Sequence, residues 1–68
     1  MSIQNVKDAF NREAQGRCSC THIQMNYIDG GKFEKFTFVT TKRTVSITAP
    51  AMHPTEKLVQ EAIEMALA

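Results

Sequence analysis

The stretch GRCSCTH, residues 16–22, holds the residue types most capable of chemistry in this chain. Cys18, Cys20 and His22 stand on alternate positions and raise two possibilities, a metal site or a dithiol redox pair. Distance argues against both. Alternate residues of an extended strand sit roughly 6.5–7 Å apart, whereas zinc holds each thiolate at about 2.3 Å and usually recruits a turn such as C-x-x-C. His53 is the only other histidine, so the ligand set is thin. A Cys18–Cys20 disulfide would lie near the upper limit of Cα separation and be strained. The sequence therefore predicts two reduced cysteines at the entrance to a strand, with no metal and no cofactor.

Other catalytic signatures are missing. The chain contains no G-x-S-x-G elbow, no phosphate-cradling glycine loop and no H-E-x-x-H helix. Gly30 and Gly31 precede a strand, so they cannot supply the helix N-terminus that a phosphate site needs. With 68 residues there is also little volume for an enclosed pocket. The expectation is a protein that is not an enzyme.

The elements that carry these residues follow from periodicity. Ser2 can cap a helix over residues 3–15, in which Ile3, Val6, Phe10 and Ala14 recur at helical spacing and Gly16 supplies a left-handed stop. Ile23, Met25 and Tyr27 then alternate with His22, Gln24 and Asn26, the period of a half-buried strand. DGGK, residues 29–32, is a hairpin turn signal. Phe36 and Phe38 alternate with polar neighbours in a second strand, and after TTKR so do Val45 and Ile47 in a third. APAMHP ends the sheet, because proline cannot donate to a ladder. Pro54 opens a last helix whose apolar stripe is Leu58, Val59, Ala62, Ile63 and Ala66. The predicted fold is a single α+β domain over residues 1–68. It has two layers in the order α-β-β-β-α, with both helices on one face of a three-stranded antiparallel meander.

Register can be tested against this pattern. With Gly30 and Gly31 as loop residues, Ile23 faces Phe38 and Met25 faces Phe36. A short loop at 40–43 then sets Phe38 opposite Val45 and Phe36 opposite Ile47. Every apolar row falls on one face. The other face reads His22, Val39, Thr44; then Gln24, Thr37, Ser46; then Asn26, Lys35, Thr48; and Ile28 opposite Phe33 near the glycine turn. Parity extends this open face to Cys18 and Cys20 if the strand begins that early. No helix remains to cover it. Gln24, Asn26, Ile28, Phe33, Lys35 and Thr37 are therefore the candidate protein-binding residues, with Ile28 and Phe33 as the apolar anchor. The outer strands also present backbone edges that could take a partner strand or a second copy, so the chain is expected to be a monomer or an edge-paired homodimer.

Charge offers a second class of partner. The net charge is +1, with +3 on residues 1–50 and −2 on residues 51–68. That asymmetry is mild beside the basic footprint of most nucleic-acid binders. Arg12 and Arg17 around the end of the first helix, with Lys42 and Arg43 in the second loop, could still meet phosphates in a salt-sensitive way. The element order is similar in layout to the double-stranded RNA-binding domain, and this resemblance spans nearly the whole chain. The family's lysine-rich start of the last helix is unmatched: here the residues are HPTEKLVQEA, with Lys57 alone among acidic neighbours. No family residue is carried over.

The composition (43% hydrophobic, 22% charged) is that of a soluble globular domain. No apolar run approaches a membrane span, and MSIQNVKDAF lacks a signal peptide's apolar core. The expected location is the cytoplasm, with no membrane partner. The function expected is a small binding module of the inhibitor or adaptor type, the kind that phages and plasmids encode, whose partner is another protein. Binding of nucleic acid is the alternative.

Overall fold

A computed structural model describes residues 3–68, so the Ser2 cap expected for the first helix lies outside the described residues. The elements are α1 (Ile3–Ala14), β1 (Cys20–Ile28), β2 (Phe33–Thr40), β3 (Thr44–Pro50) and α2 (Thr55–Leu67). The strands form one antiparallel sheet in the order β1-β2-β3. Both helices contribute to a single core with one face of that sheet: Val6, Phe10 and Ala14 from α1, and Leu58, Val59, Ala62, Ile63 and Ala66 from α2. They close over Ile23, Phe36, Phe38, Val45 and Ile47. This is the expected α+β meander with its helices on one side.

Local chemistry accounts for the boundaries. α1 stops at Ala14 because Gln15 (φ 52°) and Gly16 (φ 81°) both turn left-handed. Arg17 then bonds back to the exposed carbonyls. Its backbone N–H and its Nε both donate to Ala14 O, at 3.0 and 2.9 Å, and its Nη2 donates to Glu13 O at 3.2 Å. The first hairpin turns through Asp29–Lys32, with positive φ at Gly30 (66°) and Gly31 (92°), and Lys32 N–H donating to Asp29 O at 3.3 Å. Asp29 is left-handed too (φ 55°), and the two glycines fill the central turn positions, where successive positive φ values match the right-handed twist of the flanking strands. In the second hairpin the Thr40 hydroxyl donates to Arg43 O (2.6 Å) and accepts from the Lys42 and Arg43 amides (3.2 and 3.1 Å). That side chain closes the loop without glycine.

The register is the one the apolar rows require. Ile23 faces Phe38, Met25 faces Phe36, Phe38 faces Val45 and Phe36 faces Ile47. At the centre the Phe10 and Phe38 rings lie 5.6 Å apart and Phe36 and Phe38 6.3 Å apart, tilted by about 30° and within the roughly 4.5–7 Å separation of interacting rings.

Three expectations need correction. The sheet does not end before APAMHP: β3 runs on to Pro50, and Ala51 N–H still donates to Lys32 O at 3.0 Å. Since alternate amides of a strand point the same way, Ala51 facing β2 turns the Pro50 nitrogen outward, where an edge strand has no ladder bond to lose. Tyr27 keeps the parity of Ile23 and Met25 but is 68% exposed. Its row (Tyr27, Glu34, Ala49) lies on the helix-bearing face, but its first two members are not buried there. The third correction concerns the cysteines.

Candidate functional site

Cys18 and Cys20 are not on the open face. They are 4% and 2% exposed and belong to the core. The cause is a β-bulge. Cys20 pairs with Thr40 but His22 pairs with Val39, so Thr21 is an extra residue in β1. One inserted residue reverses parity, sending Cys20 inward while His22 remains outward and exposed. A bulge leaves backbone groups without ladder partners, and α1 supplies them. The Asn11 side chain accepts from Cys20 N–H at 2.7 Å and donates to Cys20 O at 3.2 Å, standing in for a neighbouring strand. Ser19 N–H donates to Thr41 Oγ1 (3.1 Å), and Thr41 N–H returns a bond to Ser19 O (2.9 Å).

The two cysteines are unbridged, and among the described residues no group of three or more His, Cys, Asp or Glu could hold a metal ion. Burial pushes the Cys20 thiol pKa up; its contact with the His22 carbonyl and the charge of Lys7 pull the other way. A raised pKa favours the protonated folded state. This contribution is therefore intact below the ordinary thiol range and lost as pH rises through the higher folded value. Native protein should label slowly with an aromatic disulfide reagent at mildly alkaline pH, and both thiols should react at once in denaturant. Rapid native labelling of both would return the cysteines to the surface.

The open face carries the remaining candidates. His22, Gln24, Asn26, Lys35, Thr44, Ser46 and Thr48 are exposed, while Thr37 and Val39 on the central strand are half-buried. Thr37 and Ser46 hydroxyls approach to 3.4 Å. At the glycine-turn end, one cross-strand row is apolar throughout: Ile28, Phe33 and Pro50. Ile28 is 38% and Phe33 39% exposed. Pro50 enlarges a patch read in the sequence as a pair, and two residues further on Met52 is almost wholly exposed at φ 73°. Pro50 was missed because the third strand was ended too early. The six candidate protein-binding residues thus share one face.

The four basic candidates do not form one patch. Lys42 and Arg43 sit in the second hairpin loop, which the Ser19–Thr41 bonds tie to the segment after α1. Arg17 shares that end of the sheet, but its guanidinium is bonded to the α1 carbonyls. Arg12 lines a groove of about 170 Å³ between α1 and α2, beside Glu13 and Glu56. That groove is smaller than the roughly 300 Å³ or more of ordinary ligand pockets. Among the described residues, no helix is long and apolar enough to cross a membrane. No family model matches this chain, and no curated protein or solved structure is significantly similar to it.

Proposed function

We propose that this chain is a small non-enzymatic binding module, of the inhibitor or adaptor type, that docks another protein on its open sheet face. The Ile28–Phe33–Pro50 row carries the reading. It is a contiguous apolar strip on a face of polar side chains, and apolar centres with polar surrounds are the usual anatomy of small interfaces. Asn26 and Lys35 in the next row, and Gln24 and Thr37 in the row beyond, flank it on one side with hydrogen-bonding groups and a single charge. Its place of work in this reading is the cytoplasm, where thiols such as Cys18 and Cys20 are kept reduced.

Nucleic acid is the weaker alternative. Of its four candidate cations, Arg17 is occupied in ending α1 and Arg12 lies among carboxylates. That leaves Lys42 and Arg43 for phosphate, too few for binding that survives physiological salt.

The two readings separate in one pair of experiments. A partner captured by the wild-type chain should be lost with Phe33→Asp, while the variant still unfolds cooperatively. Equal capture by both would remove the open-face reading. Amide-shift titration with short double-stranded RNA and DNA should leave Arg12, Arg17, Lys42 and Arg43 unmoved at physiological salt. Shifts there would favour nucleic acid instead.

A further inference from the structure

We infer that β1 is a self-pairing edge, and that two copies of this chain join antiparallel through residues His22–Ile28 into one continuous six-stranded sheet. The inference goes beyond docking at Phe33, shares Gln24, Asn26 and Ile28 with that face, and starts from where the sheet keeps its charges. Edge strands are usually defended by lysine, proline, bulges or a covering element. Here the distribution is reversed. The charged residues of the sheet, Glu34 and Lys35, lie on the central strand, while β1 (CTHIQMNYI) contains no Asp, Glu, Lys, Arg, Pro or Gly. β3 also lacks charge, but it is shorter and ends in Pro50.

The defences that β1 has are confined to its start. The bulge falls at Thr21, and Asn11 occupies the amide and carbonyl of Cys20. The regular run that remains is His22–Ile28, and its midpoint is Met25. A two-fold pairing about Met25 uses every residue of that run. Met25 meets its own copy, Gln24 meets Asn26 of the second copy, Ile23 meets Tyr27, and His22 meets Ile28.

The side chains are self-complementary in this register. Gln24 and Asn26 lie on the open face, so their carboxamides can exchange hydrogen bonds across the two-fold on both sides. Ile23, Met25 and Tyr27 lie on the helix-bearing face. Tyr27 is the most exposed aromatic of the chain, on a face whose other positions in β1 are buried or half-buried. Pairing lays its ring beside Ile23 of the second copy and surrounds the Met25 contact with apolar groups. The run holds no Asp, Glu, Lys or Arg, and His22 faces Ile28, so no like charges meet across the axis. A foreign strand could use the same backbone edge, but these side-chain matches specify a second copy.

Sedimentation velocity of the purified chain tests this without any partner. The wild type should show a concentration-dependent dimer. Gln24→Lys/Asn26→Lys and Gln24→Glu/Asn26→Glu should each be folded monomers, because the register sets like charge against like charge at both open-face pairs. Mixed in equal amounts, the two variants should form a heterodimer. Circular dichroism melts establish that each variant is folded. A wild type that stays monomeric at every concentration would overturn the inference. So would a dimer that persists in both variants, or variants that dissociate but do not pair when mixed.

Discussion

Phe38→Ala should destabilise the domain by about 3–5 kcal/mol, the range for removing a buried aromatic ring. Phe38 is fully buried and lies between the Phe10 and Phe36 rings. It therefore joins α1 to the middle of the central strand, where little can collapse into the space it leaves. A chain of this size has a total stability of only roughly 3–10 kcal/mol, at about 0.05–0.15 kcal/mol per residue. The substitution removes a large part of that, enough to leave much of the protein unfolded at physiological temperature. Urea titration followed by circular dichroism measures it. A near-neutral result would mean that the two sheet faces are assigned backwards.

The second large effect is expected at a polar residue. Asn11→Ala removes both partners of the Cys20 backbone, an N–H bonded at 2.7 Å and a carbonyl at 3.2 Å. Leaving buried donors and acceptors unmade costs about 1–3 kcal/mol each. Asn11 is half-buried, so water can reach part of the gap, and about 2 kcal/mol in total is the expected loss. Asn11→Asp keeps the acceptor for Cys20 N–H and loses the donor, so it should fall between wild type and alanine. Hydrogen exchange adds a local readout: the Cys20 amide should lose protection in Asn11→Ala while the Phe36–Phe38 ladder keeps its own. Unchanged protection at Cys20 would show that the bulge is held by something other than Asn11.

The contrast between these two residues shows what was legible in the sequence. Phe38 could be assigned to the core because its neighbours alternate and the rows of three strands agree on one register. The same agreement identified Ile28 and Phe33 as partners across the open face. Asn11 could not be found this way. A polar residue in a helix reads as surface, and the bonds it makes are to a strand nine residues away, across a chain reversal. The cysteines were misassigned for a linked reason. Parity carries through a strand only while the ladder is regular, and one extra residue at Thr21 reverses every side chain before it. Tyr27 was read as a core-face residue because alternation reports which face a residue takes, whereas burial depends on how far the helices reach.

The order of elements, the register of the three strands and the polar character of the open face were determined by the sequence itself. They arise from short-range periodicity and turn chemistry, which act between residues close along the chain. Only the tertiary structure decided the inward turn of Cys18 and Cys20, the length of β3, the exposure of Tyr27 and the dispersal of the basic residues. Each depends on what a distant element covers or bonds, and helix packing sets that in three dimensions rather than by spacing along the chain.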